Sequence, residues 1–231
     1  DMVATGIVNY ILFGIVLGIG NIAFKNDTES FPIHLDNKGL KLFGEGMLLG
    51  FILFLIYPLV LIVLGIGKIE INQNKMLGTI PIILVNVFGY LAVSLFEETF
   101  FRGFIFLNLR RKYSNKIAII VSAIFFGALH FLSYFDTANF WVGIINASII
   151  GVLLCLIVIY TNSLMLPIGY HLSWNLTQSL LLDRYDIFIT LGFEENIFTG
   201  SKSTPEAGLV VGIILLVMYI YMEKRIKPTK D

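Results

Sequence analysis

Residues 79–96 carry no charged side chain, and directly after them stand Glu97 and Glu98, with Arg102 four positions further on. Apolar runs of similar length recur along the whole sequence. A helix needs roughly 20 such residues to cross a hydrocarbon core of about 30 Å. The chain therefore reads as all-α: a polytopic transmembrane helix bundle. Composition agrees, since 14% of the 231 residues are charged where a soluble domain carries about 25%. An ionisable group at membrane depth is costly and is a functional candidate by default, so the cluster at 97–102 becomes the centre of the reading.

On the length criterion about seven membrane helices are expected, near residues 3–24, 46–67, 79–111, 115–133, 140–160, 164–182 and 207–222. The first lacks the basic flank and cleavage site of a secretory signal and reads as a retained span. The third is expected to continue as one helix to Arg111, because no turn cluster follows Pro81. Residues 25–45, 68–75 and 183–206 are expected as polar connections, the last net acidic, and residues 161–163 as a tight turn. With no soluble insert and no internal repeat, 1–231 reads as a single membrane domain. Glycine and alanine at four-residue spacing (Gly14/Gly18, Gly46/Gly50, Gly143/Ala147/Gly151) predict close helix packing.

Two basic clusters, Arg110-Arg111-Lys112 with Lys116 and Lys224-Arg225 with Lys227 and Lys230, are separated by four expected spans. Both then fall on one side, which the preference of lysine and arginine makes cytoplasmic. The C-terminal tail is expected there, and the acidic loop outside. Sixteen basic and sixteen acidic residues cancel, so nothing favours nucleic acid as a partner; the expected partners are the lipid bilayer and a peptide or protein substrate near it. The lone Cys155 excludes an intrachain disulfide and reads as a small buried hydrophobe.

Glu98 and Arg102 are four apart and share a helical face, so they can pair. Glu97 is rotated from Glu98 by about 100° and has no such partner, which makes it the better candidate for chemistry. Two further segments each bring a histidine: Phe126-x-x-x-His130 and His171-x-x-x-Asn175. At 1.5 Å per residue, Glu97 lies roughly 20 Å from Arg110, His130 roughly 24 Å from Ser114, and His171 and Asn175 roughly 13 and 20 Å from Asn162. These groups occupy one slab near the middle of the membrane. His34 falls in a polar loop and reads as a solvated bystander.

A carboxylate, two imidazoles and an amide suit hydrolysis. Glutamate can serve as general base on a water, and histidine and asparagine can donate to a developing oxyanion. Glu97, His130 and His171 are equally credible ligands for a zinc with one open position, and the sequence does not choose between the two. Other intramembrane protease layouts are absent: there is no His-Glu-x-x-His and no Gly-x-Ser-x-Gly. Tyr185-Asp186 falls in a polar loop without a Gly-x-Gly-Asp partner.

Glu97-Glu98-x-x-x-Arg102, Phe126-x-x-x-His130 and His171-x-x-x-Asn175 together resemble, in order, the three motifs of the CPBP family. These are the CAAX-protease and bacteriocin-processing (Abi) intramembrane endopeptidases, and the resemblance covers about 79–182. It implies an all-helical membrane endopeptidase with a glutamate-activated water, in which Glu97 is the base and His130 assists. His171 and Asn175 would then form the oxyanion side, with Glu98 and Arg102 supporting the site. It also implies a bacterial plasma membrane. Two other classes compete: a non-catalytic partner, since relatives are linked to bacteriocin immunity and sensor-kinase modulation, and a proton- or metal-coupled transporter. The intact motif set favours the enzyme, and the lack of an inverted repeat disfavours the transporter.

Overall fold

A computed structural model describes residues 2–23, 32–72, 74, 76–135, 137, 139–182 and 188–225. Its elements follow the expected order. Helix α1 is Met2–Ala23, α2 Asn37–Val63 and α3 Met76–Glu98; α3 runs without a break into a π-helical stretch, Thr99–Phe106, and then α4, Leu107–Arg110. Next come α5 (Asn115–Leu129), the short α6 (Phe131–Tyr134), α7 (Phe140–Thr161) and α8 (Met165–Leu181). A 3-10 turn, Pro205–Ala207, precedes α9, Leu209–Arg225. The all-α bundle stands, and the third apolar run is one continuous helical rod.

The expected count of seven spans is not established. Among the described residues, four helices are long and apolar enough to cross a membrane: Met2–Gly20, Asn37–Val63, Thr79–Arg110 and Phe140–Thr161. Helices α5, α8 and α9 have 15, 17 and 17 residues, which at 1.5 Å per residue is about 22–26 Å. Helix α8 in particular packs inside the bundle, with Pro167 to Trp174 all buried, so its ends have no need to reach both lipid interfaces.

Two boundaries moved for local reasons. Helix α2 starts at Asn37, well before the expected 46, because Asp36 caps it: its carboxylate accepts the Gly39 N–H at 2.8 Å. Lys38, Lys41 and Glu45 in those first turns lower the local hydropathy and conceal the helix. The fourth run breaks at His130, whose backbone (φ −80°, ψ 3°) leaves the helical region and closes α5. The two polar connections flanking the bundle also pair with each other. Strands β1 (Gly67–Ile71) and β2 (Ile189–Phe193) form an antiparallel ribbon in the register Gly67–Phe193 through Ile71–Ile189. Such long-range pairing leaves little trace in polar loop composition. The tight turn after α7 is as expected: Asn162 adopts the left-handed conformation (φ 49°) that asparagine tolerates at a helix end.

Helix α8 is the centre of the fold, packed chiefly on α2 and then on α3 and α7. Its closest neighbour is admitted by glycines on both sides. A Cβ at Gly46 or Gly50 would fall on the backbone of Leu166 or Tyr170, and one at Gly169 on that of Phe43. Phe54, Tyr57, Leu61, Tyr170, Trp174 and Leu215 fill the core beside this seam. Gly14 and Gly18 are a different case: among the described residues nothing lies within 4 Å of a Cβ there, and α1 exposes Ile7, Ile11, Ile15 and Ile19. Their spacing does not mark a helix contact.

Gly50→Val is therefore expected to destabilise the bundle by about 1–3 kcal/mol through overpacking, and Gly14→Val to leave it unchanged. Thermal unfolding of the two variants in one detergent checks the contrast.

Candidate active site

The end of α3 and the π-helical stretch place the three charged residues. Replacing i→i+4 hydrogen bonds by i→i+5 bonds widens the helix, a local distortion frequent at functional sites. Arg102 lies within this stretch and is fully buried, as is Glu98. Arg102 Nη1 donates to Glu98 Oε1 at 3.0 Å. The guanidinium carbon sits 4.2 Å from the Phe126 ring centroid, over its face. Helix α5 is tied to the same stretch by Ser122, whose hydroxyl donates to the Phe101 carbonyl at 3.1 Å.

Glu98 Oε1 has a second partner, His171 Nδ1 on α8, at 2.8 Å. A carboxylate only accepts, so the His171 proton resides on Nδ1. His130 is oriented in the same way, since its Nδ1 lies 2.8 Å from the Phe126 carbonyl oxygen, another pure acceptor. The Phe126 ring stands 4.4 Å from the imidazole, centroid to centroid, and walls it. With both Nδ1 atoms engaged, both Nε2 atoms face Glu97. Glu97 Oε2 lies 4.0 Å from His130 Nε2 and 3.9 Å from His171 Nε2, and makes no hydrogen bond among the described residues.

These groups line one cavity of about 180 Å³ together with Asn175. One water needs about 10–15 Å³ by the same kind of measure, so there is room for a segment of substrate beside it. Of the six residues singled out from the sequence, Glu97, His130, His171 and Asn175 face this cavity, while Glu98 and Arg102 lie behind it as a buried pair. His34 is exposed at the start of α2. Tyr185 and Asp186 lie outside the described residues, as do Lys227 and Lys230.

Other lining residues were not anticipated. Tyr134, Tyr170, Trp174, Gln178, Ser203, Thr204 and Glu206 complete the wall. Glu206, from the turn before α9, is 8% exposed, and its Oε1 accepts the Trp174 indole N–H at 2.8 Å. Burial pushes its carboxyl above the usual carboxylate range, and the Trp174 hydrogen bond opposes that. Its only sequence signal was a place in a net-acidic loop, which pointed to solvent. Trp174 lies between His171 and Asn175 in the third motif, and that position is the one signal that could have found it.

Glu97, His130 and His171 are donor types that zinc takes, and each imidazole has its Nδ1 held, by the Glu98 carboxylate or the Phe126 carbonyl. Among the described residues no three His, Cys, Asp or Glu side chains are gathered as a metal-holding set.

Arg102→Met removes the cation from a fully buried carboxylate and is expected to destabilise the fold by about 3–5 kcal/mol. Adding Glu98→Gln recovers part of that loss. Thermal unfolding of the single and double variants checks both.

No curated protein matches the sequence. Residues 79–177 match the family model described as Type II CAAX prenyl endopeptidase Rce1-like. The matched stretch runs from α3 into α8 and contains all three motifs, with Glu206 beyond its end. The motif-bearing core of this membrane protein is thus similar to the Rce1-like type II CAAX prenyl endopeptidases, the protease class that its motifs resemble.

Proposed function

We propose that the protein hydrolyses a peptide bond of a membrane-associated or lipidated protein by direct attack of a water that Glu97 deprotonates. The observation that carries this reading is the convergence of Glu97 Oε2 with the two imidazole Nε2 atoms at 3.9 and 4.0 Å. These separations are too long for direct hydrogen bonds and suit a bridging water. With both Nδ1 protons committed, the three inward atoms are acceptors when Glu97 is ionised and the rings are neutral. An acceptor triangle is what draws protons from a water.

In this reading Glu97 accepts one proton as the oxygen attacks the carbonyl carbon, and His130 Nε2 holds the other hydrogen to set the water's direction. The carbonyl π electrons move onto oxygen, and the oxyanion is met by the Asn175 amide N–H. His171 donates there from Nε2 only in its doubly protonated form, because its neutral form keeps the proton on Nδ1 toward Glu98. On collapse the C–N bond breaks, and the proton taken by Glu97 passes to the leaving amine. Glu98 and Arg102 touch no reacting atom and hold His171 in register.

The basic clusters at Arg110–Lys116 and Lys224–Arg225 support a cytoplasmic placement for the turn after α4 and for the C-terminal tail, in a bacterial plasma membrane. The substrate approaches from the bilayer.

Purified protein in lipid nanodiscs is expected to cut at least one member of a panel of prenylated and leader-type peptides. Glu97→Gln lowers the rate by about 10²–10⁴-fold, the usual weight of a general base, with unchanged thermal unfolding. Activity equal to wild type in that variant would sink the reading. Dialysis against a strong zinc chelator leaves turnover intact if water is activated directly; loss of turnover restored by added zinc would replace that mechanism with a metal-assisted one.

A further inference from the structure

The hydrolytic mechanism leaves one buried carboxylate unused. Glu206 reaches the cavity from a turn held on several sides. Its backbone carbonyl accepts the Asn146 amide of α7 at 2.7 Å, and the same amide donates to the Gly208 carbonyl at 3.0 Å. Tyr57 of α2 donates to the Thr199 carbonyl at 2.7 Å, and Gln178 Nε2 of α8 to the Ser203 carbonyl at 3.2 Å. The segment is pinned by three helices, and Glu206 is rigidly placed.

The chemistry around it is one-sided. The cavity lining contains Glu97 and Glu206 but neither lysine nor arginine. Several lining acceptors make no hydrogen bond among the described residues: Glu97 Oε2, Gln178 Oε1 and the Tyr170 hydroxyl, the last on a residue only 3% exposed. Hydrogen bonds from a neutral indole and from its own backbone N–H bring no countercharge to this buried carboxyl. A wall rich in acceptors and carboxylates, with no lysine or arginine among its lining residues, is matched by a ligand group that brings several N–H donors and a positive charge.

We propose that Glu206, with Gln178 and Tyr170, forms a specificity subsite that receives a lysine or arginine side chain of the substrate near the bond cut at Glu97. The proposal rests on the peptidase reading for the nature of the ligand. It implies that peptides with a basic residue near the cleavage position are preferred, and that an acidic residue at the same position is rejected.

A purely structural Glu206, serving only to hold Trp174, is the rival. Glu206→Gln separates the two, because glutamine keeps an acceptor for the indole and loses the charge. The chain has two tryptophans, and Trp141 is 72% exposed, so Trp141→Phe leaves Trp174 as an internal reporter at the subsite. In that background Glu97→Gln protein, placed in uncharged phosphatidylcholine nanodiscs, is titrated with one membrane-anchored peptide carrying lysine, norleucine or glutamate at each position in turn. At one position lysine is expected to bind about 10-fold more tightly than norleucine, and glutamate more weakly than either. Glu206→Gln abolishes the lysine preference, and Gln178→Lys, a second variant, reverses it toward glutamate. No lysine preference at any position, or a preference that survives both substitutions, overturns the subsite. Cleavage by protein with Glu97 intact is followed in parallel. Lysine-selective binding without cleavage of any bound peptide would refute the peptidase and keep the subsite; cleavage indifferent to lysine would do the reverse.

Discussion

The Glu98 carboxylate is the point on which the site depends. It is wholly buried and accepts from Arg102 within its own helical rod and from His171 on α8. A buried ion pair seldom adds net stability over an apolar replacement, so its value here lies in geometry. Because the carboxylate can only accept, it dictates which His171 nitrogen bears hydrogen and turns the other toward Glu97. The Phe126 carbonyl does the same for His130. Two acceptors outside the cavity thus decide the proton pattern inside it.

That arrangement requires three helices to hold their distances within a fraction of an ångström. The glycine seam between α2 and α8 supplies one restraint, since backbone meets backbone there and leaves no side chain to give way. The π-helical stretch supplies another: Arg102 Nη1 reaches Glu98 while the guanidinium face lies over Phe126 of α5. Van der Waals packing and hydrogen bonds, rather than hydrophobic exclusion from lipid, drive helix association in a membrane. The buried polar contacts therefore bring the helices together as well as serving the site.

The family motifs end in α8, but the cavity does not. Its remaining wall comes from the segment between β2 and α9, held down by Tyr57, Asn146 and Gln178. The helices supply Glu97, His130, His171 and Asn175 to the cavity, and this cap supplies Glu206.

Much of this was legible beforehand. Helix class, the continuous rod from residue 79 to about 110 and the Glu98–Arg102 pair all follow from periodicity and apolar length, which are local properties. The capped start of α2 and the break at His130 were hidden, because caps and helix ends depend on single hydrogen bonds that hydropathy does not register. Gly14 and Gly18 misled, because small-residue spacing shows that helices can approach and not that they do. By itself the sequence determined which stretches are helical and which residues share a helical face. Only the tertiary structure decided which nitrogen of each histidine faces Glu97, that β1 pairs with β2, and that Glu206 leaves an acidic loop to enter the cavity. Each of those outcomes rests on contacts between segments far apart in the chain, and no local pattern encodes them.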